Sequence, residues 1–307
     1  MVAYVRFRLL AAIPVLLGVL VLVFASLYLL PGDPVSALVG DVPTDKATLD
    51  ELRQQLGLND PPWIQYGRFL GALLQGNLGT SLQTHRPVLG EILTFLPATL
   101  QLTAAAMLFA IVIGLSLGTL AAVKAHTWVD TLASVIALGG VSVPAFWLGL
   151  ILLLVFSVWL NLVPSTGTEG LNRLVLPAFV LGYSAAAIIA RLTRNALLEV
   201  MSQEYVVTAR SKGVHERRVI MGHALRNAMI PVITIVGLQI GQLLSGAVIV
   251  ETVFSRQGVG RLLVNGILGK DLPLVQGTIL FVAVAYVVIN LVTDVLYVYA
   301  DPRIRVR

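Results

Sequence analysis

The chain has 307 residues, of which 57% are hydrophobic and 12% charged, with a mean hydropathy of +0.88. Soluble domains carry about 25% charged residues, so the composition excludes a soluble globular protein and predicts an integral membrane protein. The net charge of +5 and pI near 9.7 reflect basic loops facing one side of a bilayer, where anionic headgroups are better partners than nucleic acid. The absence of cysteine excludes disulfides, thiolate metal sites and a cysteine nucleophile.

Six stretches are apolar enough to span a bilayer, which takes roughly 20 residues each. They are Leu9–Leu30, Leu96–Val123, Leu132–Leu160, Leu174–Ala190, Ile230–Val250 and Leu274–Tyr299. The predicted fold is an all-α polytopic membrane protein in three parts. Residues 1–30 hold the N-terminal segment and first span, 31–95 an extracytoplasmic loop, and 96–307 the core, with a cytoplasmic loop at 191–229. Arg6 and Arg8 precede the first stretch, as in a signal peptide. That stretch is too long, and it ends in Pro31-Gly32-Asp33-Pro34 with no small-x-small cleavage site, so it reads as an uncleaved anchor. The third stretch is long enough to tilt or to run along the outer interface. Thirteen of the 21 Lys and Arg residues lie before the first span, at Lys124, in the 191–229 loop and at the C-terminus. Basic loops stay inside, so both termini are expected to be cytoplasmic.

The external loop carries seven acids and four bases. Thr48 and Glu51 have capping-box spacing, Leu49, Leu52 and Leu56 repeat at helical spacing, and Gly57 can end that helix. After Pro61-Pro62, the residues Trp63, Ile64, Phe69, Leu70, Leu73 and Leu74 read as an amphipathic helix on the outer interface. The loop is either a docking lid for an external partner or a structural cap. A second external stretch, Glu251–Pro273, contains Phe254, Gly258 and Gly260. The two glycines suggest tight turns, and the stretch is a candidate outer gate or a plain connector.

Inside the membrane, Gln239, Gln242 and Gly246 fall on one face of the fifth span. Two amides on one face suit a solvated pathway, and interhelical hydrogen bonding is the competing reading. Gly114-xxx-Gly118 and Gly237-xxx-Gly241 are small-xxx-small pairs that mark close helix contacts. Asp294 is the one acid placed within a span. An ion pair near the cytoplasmic end fits it better than proton coupling. The four histidines are dispersed and no two sit in one span, which argues against a metal filter through this subunit. No nucleophile–base–acid spacing stands out, so no catalytic residue is expected.

Helical sequence continues past the fourth span to Met201, then comes Glu204–Lys212, Gly213, and a second helical run from Glu216. Gly213 can supply a positive-φ elbow. A basic loop held by lipid headgroups would not need it, whereas a docking knob for a soluble partner would.

Ala209-Arg210-Ser211-Lys212-Gly213, His223-Ala224-Leu225-Arg226-Asn227-Ala228 and Pro231 resemble the coupling loop of ABC importer permeases. The likeness is to the dipeptide, oligopeptide and nickel branch. Leu30-Pro31-Gly32-Asp33-Pro34, Gln55-Leu56-Gly57-Leu58, Leu96-Pro97-Ala98-Thr99-Leu100, Glu251 with Phe254, and Asp301-Pro302-Arg303-Ile304-Arg305 extend it over nearly the whole chain. There are two departures. Val207, Thr208 and Ala209 stand where the general signature begins Glu-Ala-Ala, and Gln257 stands where a proline often precedes the outer glycines. The resemblance implies a type I ABC importer permease fold with six transmembrane helices and a cytoplasmic coupling helix. It implies a second, related permease subunit, two cytoplasmic ATPases and an external substrate-binding protein. ATP and Mg would be held by the ATPases, since this chain has no Walker A motif and is expected to bind no cofactor itself. Coupling would rest on Tyr205, Ala209, Arg210, Lys212, Gly213, Glu216 and Arg217. The cargo implied is a dipeptide or oligopeptide, with nickel or a metal chelate and glutathione as alternatives. A secondary transporter driven by an ion gradient is the rival class, and it would require Asp294.

Overall fold

A computed structural model of the chain describes residues 2–29, 45–55, 59–164, 166–168 and 170–300. It is helical, and among the described residues the only β pairing is an isolated bridge between Thr80 and Pro87. In chain order the helices are α1 (Val2–Leu29), α2 (Lys46–Gln55), α3 (Pro62–Leu74), α4 (Val88–Val123), α5 (Trp128–Ser142), α6 (Ala145–Leu152), α7 (Asn172–Met201), α8 (Glu204–Ser211), α9 (Leu225–Val253), α10 (Val259–Leu268) and α11 (Leu272–Ala300). A wide π-type turn, Leu153–Trp159, prolongs α6. A second such turn, Val219–Ala224, leads into α9.

Among the described residues, four helices are long and apolar enough to cross a membrane, and the bent pair α5 and α6 makes up to five. Of the two expectations for the third apolar stretch, the bend overturns the single tilted helix and is compatible with a segment turned along the interface, because α5 and α6 meet at 107°. Its cause is local. Pro144 lacks an N–H and pushes the residue before it out of the α region; Val143 is extended at ψ 123° and Pro144 at ψ 133°. Pro97, Pro177 and Pro231 lie inside α4, α7 and α9 without ending them.

The chain divides into two compact units. Among the described residues, the larger contains 98–257 together with 2–5 and 288–300. Its centre is α7, whose apolar window is 61% buried against 33% for each of the other long helices. Between lipid-facing helices there is little hydrophobic drive, so close packing and polar contacts hold the bundle. Small residues permit that approach here. A methyl placed on Gly114 would stand 2.8 Å from the Ala186 carbonyl oxygen, and one on Gly118 2.4 Å from that of Ala190. Gly140 on α5 is equally tight, with a methyl there 2.7 Å from the Ala187 side chain. The Gly114-xxx-Gly118 pair is thus the seam between α4 and α7. Around it lies a core including Leu102, Ala106, Ala185, Ile189, Val232 and Val250.

The smaller unit contains Arg6–Pro97 and Gly258–Val287. Val88, Ile92, Val259, Leu262 and Leu274 form its core. The buried Asp271 carboxylate accepts the Ser81 hydroxyl and the backbone N–H groups of Leu82 at 3.1 Å, Gln83 at 3.3 Å and Leu274 at 3.2 Å. Those bonds supply the partners that a buried charge requires. Phe24 of α1 packs edge-on to Tyr66 of α3, with centroids 5.1 Å apart. The amphipathic helix therefore presents Tyr66 and Phe69 to α1 and leaves Trp63 and Leu74 exposed. α2 begins at Lys46, two residues before Thr48, so the expected capping box does not sit at its start. Gly57, the first external residues 31–44 and the terminal Asp301–Arg307 lie outside the described residues, as does the side chain of Asp294.

Candidate functional site

α8 starts after Gln203, whose ψ of 145° breaks the run from α7. It ends in a Schellman turn: Val214 N–H donates to Ala209 O at 3.3 Å and Gly213 N–H to Arg210 O at 2.9 Å. Gly213 is the left-handed residue of that turn, with φ 72°. The motif needs a residue free of Cβ strain there. A Cβ on Gly213 would meet nothing within 4 Å, so the demand is conformational and the site is open. The His215 side chain then accepts the Arg217 N–H at 3.3 Å and caps the one-turn helix Glu216–Arg218.

The elbow is closed by charge. Arg210 Nη2 donates to Glu216 Oε1 at 2.6 Å and its Nε to Oε2 at 3.0 Å, the two-pronged geometry in which Arg binds carboxylate best. This bond raises the Arg210 pKa and lowers that of Glu216, which lies before the apolar part of its segment. Val206 anchors α8, being fully buried, while Tyr205, Arg210, Lys212, Gly213 and Arg217 face outward and Ala209 is half-buried. Asn227 at the start of α9 donates to the Tyr205 hydroxyl at 2.7 Å. All seven expected coupling residues thus stand on one small projection between α7 and α9.

The expected pathway residues are less alike. Gln239 is buried at 3% exposure, Gln242 is exposed, and Gly246 is half-buried against Leu181. One helical face carries them, and packing against α7 covers part of that face.

Glu251 and Phe254 belong to a cluster that the sequence did not disclose. Glu251 is fully buried at the end of α9 and accepts the Thr99 hydroxyl at 2.6 Å. Arg256, also fully buried, donates through Nη2 to Gln101 Oε1 at 2.6 Å and through Nη1 to Thr168 O at 3.4 Å. Burial pulls its guanidinium pKa down and the Glu251 charge opposes that. Phe254 is buried against Gly149 on α6. The tight turn falls at Ser255, φ 51°, whereas Gly258 is extended at φ −121° and Gly260 lies inside α10. The two glycines therefore do not make the turn expected of them.

A second unforeseen pair joins α5 to α7. Arg194 Nε and Nη2 grip the two Asp130 carboxylate oxygens at 2.6 and 2.7 Å, and His126 N–H donates to Asp130 at 3.0 Å. The trace available in the sequence is Thr127-x-x-Asp130, a cap-like spacing, beside a basic end of the fourth span. Among the described residues no group of three or more metal-ligating side chains exists.

A model of the "Binding-protein-dependent transport system inner membrane component" family matches residues 114–306. A model of that system's N-terminal membrane component matches residues 1–103. The chain is 42% identical over 333 residues to the dipeptide transport system permease protein DppB of Alkalihalophilus pseudofirmus, covering 99% of this chain and 100% of that protein. It is 45% identical over 306 residues to the glutathione transport system permease protein GsiC of Salmonella paratyphi A, with 99% of each covered. The di/tripeptide permease DppB of Pseudomonas aeruginosa is 43% identical over 333 residues, with 99% of each covered. Among solved structures, a chain of the inward-facing MetNI methionine ABC transporter has the same fold, with a TM-score of 0.59 at 20% identity. That match covers 69% of this chain and 97% of that one.

Proposed function

The chain belongs to the binding-protein-dependent transport inner membrane component family, and on that premise we propose that it is the membrane-spanning permease subunit of an ATP-driven peptide importer. The carrying observation is the elbow at 204–218. It is exposed, stiffened by a Schellman turn and the Arg210–Glu216 pair, and continuous with α7 and α9. A soluble ATPase that seats on it can move both helices at once.

In this reading six helices cross the inner membrane, α1 being the first and α5 with α6 the third, and both termini face the cytoplasm. Two ATPases hold ATP and Mg, and each engages one permease chain. This chain binds no cofactor. A second, related permease completes the pathway and an external binding protein delivers cargo. Closure of the ATPases pushes the elbow, and the bundle switches between inward-open and outward-open packings. Di- or oligopeptides are the favoured cargo, on the strength of the dipeptide permeases named above. Glutathione, itself a tripeptide, is the second reading, because the glutathione permease is equally similar.

Gly213→Trp tests the coupling assignment. A Cβ there meets nothing within 4 Å, and the positive φ disfavours any side chain, so the chain should reach the membrane with a disturbed elbow and without its ATPases co-purifying. A variant that retains both its ATPases and its transport removes the elbow from the mechanism.

A further inference from the structure

Two cavities adjoin along α4, α5 and α7 in the larger unit, and Leu117, Ala137 and Ala190 line both. The first, of about 290 Å³, is apolar and bordered by Phe109, Phe179 and Tyr183. Their rings form a continuous series, with centroids 5.2 and 5.6 Å apart. Tyr183 adds no free polar group, because its hydroxyl donates to Ile136 O at 2.8 Å. The second, of about 230 Å³, is polar at its far end, where Arg191, Arg194, Asn195 and Ser134 meet. Arg194 is neutralised by Asp130 at 2.6 Å. Arg191 has no hydrogen-bond or ion-pair partner among the described residues, so the mouth carries one uncompensated positive charge.

We infer that this groove holds one anionic phospholipid, with its phosphate on Arg191 and an acyl chain along Phe109, Phe179 and Tyr183. The chemistry is specific at both ends. An apolar cavity at membrane depth excludes hydrated anions, and a guanidinium at its mouth favours a headgroup of net negative charge over a zwitterionic one, whose own cation offsets its phosphate. A peptide cargo would leave its backbone amides unpaired against the aromatic wall, which costs several kcal/mol each by the usual estimate. The site itself stands on Arg191 and the cavity; only the leaflet, the cytoplasmic one, rests on the orientation proposed above. The seated lipid would fill the space between α5 and α7 beside the Asp130–Arg194 pair.

The test uses the complete transporter, purified, delipidated and placed in phosphatidylcholine nanodiscs. Dioleoylphosphatidylglycerol is titrated in and retained lipid is counted by native mass spectrometry. One phosphatidylglycerol per copy of this chain, favoured about fivefold over phosphatidylcholine as one basic side chain allows, is the expected result. Arg191→Gln, an exposed position that should fold normally, removes that preference, and Arg191→Lys keeps part of it. Ala137→Phe fills the shared stretch of the groove and lowers retention of both lipids there. Equal retention of the two lipids overturns the proposal, as does an unchanged preference in Arg191→Gln. Displacement by millimolar inorganic phosphate would reduce the site to a free-anion site and also overturn it. So would efficient cross-linking of Asn195→Cys to the second permease, which would mean that protein covers the groove.

Discussion

Substitutions at Gly213 isolate the elbow's backbone from its contacts. A Cβ there touches nothing within 4 Å, while φ is 72°. Any effect of Gly213→Ala is therefore conformational. The left-handed region costs an ordinary residue about 1–2 kcal/mol, which corresponds to roughly a 5–30-fold change in the ratio of formed to unformed turn. If the ATPase binds only the formed elbow, its apparent affinity falls in proportion to the formed fraction, by up to that factor. Asn tolerates this region far better than Ala, and β-branched residues tolerate it worst. The expected order of ATPase affinity is Gly, then Asn close behind, then Ala, with Val weakest. The assay is a titration of purified ATPase against this permease, with its partner chain, in nanodiscs, followed by uptake at a fixed ATPase level. Gly213→Val binding as tightly as the parent would refute the reasoning. So would Asn and Val losing affinity equally, since side-chain bulk rather than φ would then be responsible.

Other expected outcomes follow from single contacts. Arg256→Leu removes the buried donor to Gln101 and Thr168. It should cost about 1–3 kcal/mol, read as a lower melting temperature of the detergent-solubilised complex, and Arg256→Lys should rescue little because it loses the fork. Gly118→Ala forces a methyl to 2.4 Å from the Ala190 carbonyl. Yield of folded protein should fall sharply, whereas Gly67→Ala, with nothing within 4 Å, should be neutral. The Arg210 bond holds Glu216 below its ordinary pKa. A carboxylate depressed on folding contributes stability above its unfolded pKa, near 4.3, and loses that contribution as pH falls through the lower folded value. Between pH 6 and 8 the elbow pair should therefore leave ATPase affinity flat, and Glu216→Gln should weaken it by under about 1 kcal/mol, as exposed pairs do.

Local patterns reached part of the structure and stopped where distant segments meet. Long apolar runs disclosed the four helices long and apolar enough to cross a membrane among the described residues, and Gly213 with its helical flanks disclosed the elbow, because both signals are contained in short windows. The kink at Pro144 was also written locally, but span length masked it. The Glu251–Thr99 and Arg256–Gln101 bonds join residues 152 and 155 positions apart, and the Ser81–Asp271 bond joins residues 190 apart. No periodicity in one sequence connects such positions. Gln239 and Gln242 share a helical face by spacing, yet their burial differs because α7 covers one side of it. The positive-φ turn falls at Ser255, between the buried Phe254 and Arg256, rather than at the glycines.

Uptake of a labelled dipeptide in a strain lacking this gene, measured beside labelled nickel with a chelator, tests the central claim most directly. The expected result is loss of dipeptide uptake alone, restored by the intact gene and not by Gly213→Trp. Loss of nickel uptake with dipeptide uptake intact would contradict the peptide assignment, and restoration of dipeptide uptake by Gly213→Trp would contradict ATP coupling through the elbow.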